Sequence, residues 1–340
     1  MHATRRTFLT GALATTAAAG VPSGVMAQGA QELKLASFVP PTHVIWAEVL
    51  MPWAKEIESR SGGKLTVRGF PSMQLGGRAP DLYRQMVQGI ADIVFTLPGY
   101  TSGDFPMMAL TELPGTAESA DDGTRKLWQH FDKFLAREFA AAKVLMLWNS
   151  DNAGIMSREK PVRTLEDMKG LKVRAPSAAQ SAQISAMGAT PISMPVTQIY
   201  NSLERGVIDA SMIPASAALD FKLIEVAKYF TYNAPLGRSP FLVSMNRKRY
   251  ESLPADLKKV IDDTTGLQLS LKGASTYDRQ NVASLDAVKK DTNKELILLS
   301  AEEKRRWLDN FRPLIRAQAE AADKAGLPGS GLAGAYGLLS

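Results

Sequence analysis

Short apolar runs alternate with stretches of helical period along most of the chain. Leu33–Phe38 and Lys64–Phe70 read as strands. Between them Trp46, Val49, Leu50, Trp53 and Ile57 share one helix face, Pro52 predicts a kink or a fresh helix start, and Gly62-Gly63 ends the helix. Further strands are predicted at Ile93–Leu97, Lys143–Trp148, Gly154–Ser157, Leu171–Arg174, Ile192–Met194, Ala210–Ile213 and Phe241–Asn246, with helices between most of them. This alternation is that of an α/β protein. After Leu253-Pro254 the pattern becomes long and helical, over Ala255–Thr292 and Ala301–Ala325, with Glu295–Ser300 between the two. Residues 326–340 are glycine-rich and are expected to form a flexible, frayed tail.

One internal echo organises the pattern. Leu82-Tyr83, Met86, Gly89 and Asp92 recur as Ile199-Tyr200, Leu203, Gly206 and Asp209, every pair separated by the same interval. The shared content is a helix with a buried face, a glycine able to adopt positive φ at its end, and a short strand after the aspartate. Each strand then runs to a proline, Pro98 or Pro214. Two similarly built lobes follow from this, and because ligands of open α/β sheets sit beyond the carboxyl ends of strands, the two prolines point to facing rims of a cleft.

Composition narrows the chemistry. With 340 residues the chain fits two domains of ordinary size. It has no cysteine, which removes disulfides, iron–sulfur clusters, thiol catalysis and cysteine zinc sites, and only three histidines, too few for a histidine-rich metal centre. The first 27 residues read as an export leader: Thr4-Arg5-Arg6-Thr7-Phe8-Leu9 before a weakly apolar stretch, then Val25-Met26-Ala27 as a cleavage site. The paired arginines suit a twin-arginine signal, which places the mature chain, from near Gln28, in a bacterial periplasm. Losing that leader removes two arginines and no acidic residue from a net charge of +6, and the remaining basic residues are scattered. No nucleic-acid stripe forms, and no later segment is long and apolar enough to span a membrane.

Catalytic motifs are absent. There is no Gly-x-Ser-x-Gly elbow, HExxH or P-loop, and Gly329-Ser330-Gly331-Leu332-Ala333-Gly334 matches a dinucleotide fingerprint only formally, because a helical stretch precedes it. His43 and His130 lack a recognisable catalytic partner and read as packing or capping residues. No cofactor, metal or catalytic residue is expected, and the chain reads as a non-enzyme.

The informative segment is Thr164–Pro176. Thr164 and Asp167 form a capping-box-like start, Gly170 closes a short helix, and Leu171–Arg174 runs as a strand towards Pro176. Arg174 thus stands at the carboxyl end of a core strand, where its guanidinium could fork onto a ligand carboxylate, with the amides of a helix over Ser177–Met187 nearby. Read from residues alone, pairing with a core carboxylate or snorkelling to the surface is equally open.

The run from Pro161 to Arg174, PVRTLEDMKGLKVR, resembles the signature of the solute-binding proteins of TRAP (tripartite ATP-independent periplasmic) transporters, the dicarboxylate-binding-like DctP family. Ser61-Gly62-Gly63-Lys64-Leu65, Gln74-Leu75-Gly76, Met187-Gly188-Ala189-Thr190-Pro191 with Met194-Pro195, Arg205-Gly206-Val207-Ile208-Asp209 and Ser252-Leu253-Pro254 follow in order, so the likeness covers Leu33 to about Leu314. It implies a two-lobed periplasmic solute-binding fold with a cleft between lobes and long C-terminal helices. The implied function is hinge closure around an organic acid and delivery to TRAP membrane permease subunits. The domains expected are residues 1–27 as signal peptide, 28–150 plus about 238–280 as one lobe, 151–237 plus about 281–325 as the other with the C-terminal helices, and 326–340 as tail. A sensor of the same fold feeding a receptor kinase, or a small-acid lyase or isomerase, are the alternative readings.

In the family, the arginine matching Arg174 makes a salt bridge with the ligand carboxylate. Elsewhere this chain departs: a second family arginine falls by spacing on Ala153, an asparagine common before the proline at Pro214 is Ile213, and an aromatic common after the Met-Pro pair is Val196. One carboxylate anchor in an enlarged apolar pocket predicts a monocarboxylate with an apolar or aromatic body. A second acid group would need another anchor, for which Arg238, before Phe241, is the candidate. Phe38 and Tyr100 at strand ends, Asn152 beside the missing arginine, and Met194, Ile213, Pro214, Ser216 and Phe241 complete the expected rim. Of Trp46 and Trp53, Trp46 is the better placed for a cleft.

Overall fold

The computed structural model describes residues 30–339; the predicted leader and its cleavage site lie outside the described residues. Among the described residues eleven strands form two sheets. β1 (Gln31–Ser37), β2 (Leu65–Phe70), β3 (Ile93–Thr96), β4 (Ala142–Asn149) and β10 (Pro240–Asn246) build the first, in the order β2-β1-β3-β10-β4. β5 (Ala153–Ser157), β6 (Lys172–Ala175), β7 (Thr190–Ser193), β8 (Ala210–Pro214), β9 (Tyr229–Tyr232) and β11 (Glu295–Leu298) build the second, in the order β11-β9-β5-β8-β6-β7. The expected α/β architecture of two lobes is present. Two strands escaped the sequence reading: Tyr229–Tyr232 has no turn signal before it, and Glu295–Leu298 shows only a short apolar run that gains strand form by pairing with β9.

The internal echo is structural. The helix Leu82–Val87 ends near Gly89 (φ 78°), and the helix Ile199–Glu204 near Gly206 (φ 69°). Asp92 then exchanges bonds with Lys34 at the foot of β1: its Oδ2 accepts from the Lys34 amide (2.8 Å), and its own amide donates to the Lys34 carbonyl (3.0 Å). Asp209 does the same with Lys172 on β6, at 2.7 and 2.8 Å. In each lobe an aspartate thus fixes a strand beside its parallel neighbour, β3 beside β1 and β8 beside β6. The copies diverge at the tyrosine. Tyr83 is buried against Phe105, whereas the Tyr200 hydroxyl donates to Glu225 at the surface.

Four features depart from the pattern. Pro52 does start a fresh helix, Met51–Arg60, but only after a π-helical turn over Trp46–Leu50. Trp46 packs on β2 rather than facing the cleft: a Cβ on Gly69 would come within 2.5 Å of its ring. The stretch Ala255–Thr292 is broken at Gly266 (φ 92°) into the helices Ala255–Thr264 and Leu267–Lys290. The tail expected to fray forms a helix instead, Gly329–Ala335, with Leu332, Ala333 and Tyr336 buried. Its glycines permit this docking: a Cβ on Gly329 would lie 2.3 Å from the Ala319 carbonyl of the long helix Ala301–Lys324. Glycine here buys close approach, not freedom.

Candidate functional site

Two loops carry the chain between the sheets, Ser150–Asn152 and residues 233–239. The two crossings are tied together: Ser150 N donates to the Ser239 carbonyl (2.9 Å) and Ser239 N to Ser150 Oγ (3.1 Å). The helix Leu267–Lys290 runs beside both lobes, with Gly273 against Trp148 of the first sheet and Gln280 donating to Asp220, which follows β8, at 3.1 Å. A second seam joins the lobes at the start of the helix Ala178–Ala186. Its N-cap Ser177 donates to Glu112 Oε2 (2.6 Å), and Gln180 donates to Glu112 (3.3 Å) and to Ser239 (2.8 Å). The helix N-terminus expected to help hold a ligand is therefore already faced by a carboxylate of this chain.

Between these seams lies a pocket whose empty space, open solvent at its mouth included, is about 440 Å3. Strand ends build it, as the α/β rule requires. Arg174 arrives from β6, Ile213 and Pro214 from β8, and Phe38 from β1, with Tyr100, Ser216 and Phe241 from neighbouring turns and β10. Seven of the ten predicted site residues thus meet in one cavity, and Val196 lines it as well. Its floor is a ladder of rings. Phe95 stacks on Trp148 (5.4 Å) and Trp148 on Phe241 (5.6 Å), while Phe38 lies 5.7 Å from Phe95 and 5.6 Å from Tyr100.

Arg174 is 3% exposed and forms no ion pair with any carboxylate among the described residues. Its Nε donates to the Met194 carbonyl (2.9 Å) and Nη1 to the Met212 carbonyl (3.4 Å). Those bonds fix its direction but leave its charge uncompensated, and burial pulls its pKa down. Tyr100 sits beside it, its phenolic oxygen accepting from the Val196 amide at 3.1 Å and bonding to the guanidinium. Since both neighbours are donors, the proton of Tyr100 remains for an acceptor in the cavity.

Three predicted residues lie elsewhere. Met194 contributes its carbonyl to Arg174, while its side chain lines a separate outer groove. Asn152 sits half-buried in the first crossing, outside the pocket lining. Arg238 faces away from the cavity: Nη1 donates to the Ser150 carbonyl and Nη2 to the Glu118 carbonyl, both at 3.0 Å, and Asp151, Asp278 and Asp122 surround its charge. It holds the crossing together and is not positioned as a second ligand anchor. Ala153, expected to widen the pocket, is buried in β5 opposite Pro214 and does not line it.

The sequence reading missed His43, Phe221, Ser239 and Tyr277 on the wall. His43 was accessible to the same strand-end rule that found Phe38, since both follow β1. Phe221 follows the short helix Ala217–Asp220 and Tyr277 lies in the helix Leu267–Lys290, where nothing local marks an apolar residue as facing a cavity. Among the described residues no group of three or more histidines and carboxylates could hold a metal, and no helix is long and apolar enough to cross a membrane.

Burial dominates the titrations around the cleft. It raises Glu112, Asp151 and Asp220 to about 7 and lowers His43 to about 3. Each raised carboxyl binds its proton more tightly folded than unfolded, so stability falls as pH rises from the ordinary carboxylate range through about 7. His43 opposes this between about 3 and its ordinary 6.5, one group against three. The melting temperature of the ligand-free chain should therefore decline from pH 5 to pH 7.5, and Glu112→Gln should flatten the slope; scanning calorimetry across that range checks both.

The model of the bacterial extracellular solute-binding protein family 7, DctP, matches residues 35–321. A TRAP solute-binding protein of a marine metagenome, specific for aromatic acid ligands and solved with 3-hydroxybenzoate, superposes with a TM-score of 0.87 at 31% identity, covering 92% of this chain and 98% of that one. A TRAP solute-binding protein from Rhodoferax ferrireducens, solved with copurified benzoate, gives a TM-score of 0.87 at 29% identity over 91% and 97% of the chains. The C4-dicarboxylate-binding periplasmic protein DctP of Rhodobacter capsulatus is 25% identical over 86% of this chain and 92% of its own. These relatives are binding proteins, not enzymes. The resemblance carried by Pro161–Arg174 holds along the whole fold, and the chain belongs to the DctP-type solute-binding proteins of TRAP transporters.

Proposed function

We propose that the protein is a periplasmic receptor that captures an aromatic or otherwise apolar monocarboxylate and presents it to a TRAP-type membrane permease. The observation that carries this is Arg174: a buried guanidinium without a carboxylate partner among the described residues, at the end of a cavity whose other walls are mostly rings and aliphatic side chains. A ligand carboxylate accepts from Arg174 and from the Tyr100 hydroxyl, exchanging its water shell for charge-assisted bonds. The ring or alkyl body packs on Phe38, Phe241 and Val196. A dicarboxylate would bring its second charge into a cavity lined by no other arginine or lysine among the described residues. The marine and Rhodoferax relatives, solved with aromatic acids, support this choice over the dicarboxylate named for the Rhodobacter protein.

Closure follows from the geometry. Arg174 and Ile213 come from the second sheet, Phe38 and Phe241 from the first, so ligand contacts all four only when the lobes meet, and binding favours the closed state. A thermal-shift screen of refolded protein against organic acids tests the reading. Ligand at about 1,000 times its Kd contributes roughly 4 kcal/mol, several degrees in Tm. Shifts confined to aromatic or branched monocarboxylates are expected; shifts confined to dicarboxylates or sugar acids would overturn the ligand class.

A further inference from the structure

Two outer grooves adjoin the ligand cavity. One shares Phe38 and Phe221 with it, the other Tyr100 and Pro176, and the two grooves meet at Arg78, Pro195 and Gln198. Arg78 follows β2 of the first sheet, whereas Pro195 and Gln198 follow β7 of the second, so its guanidinium stands where the lobes face each other at the mouth. Among the described residues lining either groove, Arg78 is the only charged one. Its side chain is 78% exposed, and Asp81, 3.5 Å from its Nε, lines neither groove. The arm has a fixed base. Ser72 and Met73 hold positive φ (51° and 59°), which costs energy in residues other than glycine, and their amides donate to the Val39 and Ser37 carbonyls at the end of β1, both at 2.9 Å. The Gln85 side chain donates to the Gly76 carbonyl at 2.9 Å. The loop is thus pinned to the strand end that delivers Phe38, and it carries its one charged residue over the mouth.

We propose that Arg78 is a recruiting residue, which draws anionic ligands to the cleft and takes no part in holding them once Arg174 has the carboxylate. The proposal rests on the acid-receptor reading above and assigns the capture step of that same site. The division of labour follows from burial. Arg174, only 3% exposed, bonds a carboxylate inside a low-dielectric cavity and governs how long the acid stays. Arg78 stands in water, acts through a screened field and governs how often an acid arrives. Two opposite unit charges about 7 Å apart in water attract by about the thermal energy, which raises the local acid concentration roughly 3-fold. The Debye length falls from about 30 Å at 10 mM salt to about 3 Å at 1 M, so salt extinguishes this attraction.

Stopped-flow fluorescence of the full chain tests this, with Trp148, stacked on Phe241 of the cavity wall, as the reporter. The acid is benzoate, or 3-hydroxybenzoate if calorimetry shows no benzoate binding, and kon is the slope of the observed rate against acid concentration. At about 10 mM salt, Arg78→Ala is expected to lower kon about 3-fold and Arg78→Glu about 10-fold, with koff unchanged in both. At about 1 M salt all three proteins should associate at one rate. Arg312→Ala removes a similarly exposed cation, with its own carboxylate Asp309, from the helix Ala301–Lys324 and should leave kon unchanged. Melting curves verify that each variant is folded. An unaltered kon in Arg78→Ala at low salt, or an equal loss from Arg312→Ala, overturns the recruiting role and leaves the acid-receptor reading standing. A rise in koff that persists at high salt would show Arg78 holding the bound acid and overturns it as well. Absence of binding by both acids overturns the aromatic-acid reading and the recruiting role together.

Discussion

Arg174→Ala is expected to abolish acid binding while leaving the fold intact. Truncating one partner of a buried charge pair costs about 2–5 kcal/mol, so affinity should fall by roughly 30-fold to several thousand-fold. The ligand-free protein tells the complementary half. Among the described residues Arg174 has no carboxylate partner to lose, and its removal takes a buried charge out of the core at the expense of two carbonyl contacts, to Met194 and Met212. Tm without ligand should stay within a few degrees of the unmodified chain. Loss of ligand-induced shift with a retained melting transition is the signature of a residue kept for binding. A collapse of the ligand-free Tm would show Arg174 to be structural instead.

Arg238→Ala should behave in the opposite way. Its guanidinium holds the carbonyls of Ser150 and Glu118 and offsets Asp151, itself buried and bonded to Ser216 at 2.6 Å. Removing the cation strands those groups in the crossing between lobes, at about 3–5 kcal/mol. For a chain of this size that is a fall in Tm of about 5–8 °C. The same cycle decides between the two arginines. If Arg238→Ala left Tm unchanged and removed affinity for dicarboxylates, the second-anchor role expected from sequence would be restored.

The contrast between these arginines marks how far the sequence could be read. Both stand near strand ends in similar local contexts, and the family resemblance spoke only to Arg174. What turns Arg238 away from the cavity is the pair of carbonyls at 118 and 150, far off in sequence, so no local pattern could announce it. Positions whose role is set by their own strand were legible: Phe38, Ile213 and Pro214 follow from the strand-end rule, and the aspartates 92 and 209 from the echo. Phe221, just after the short helix Ala217–Asp220, and Tyr277, on the long helix beside both lobes, were not, because burial against a cavity and burial against a core select the same side chains. The tail shows a different failure. Its glycines signal flexibility when counted, yet Gly329 serves to let two helices approach closely.

The most direct measurement is a crystal structure of the chain with a bound aromatic monocarboxylate. The account predicts closed lobes, a carboxylate oxygen about 2.7–2.9 Å from an Arg174 nitrogen, another within reach of the Tyr100 hydroxyl, and the ring between Phe38 and Phe241. A carboxylate bound away from Arg174, or an acid seated outside this pocket with Arg174 still lacking an anion, would contradict it.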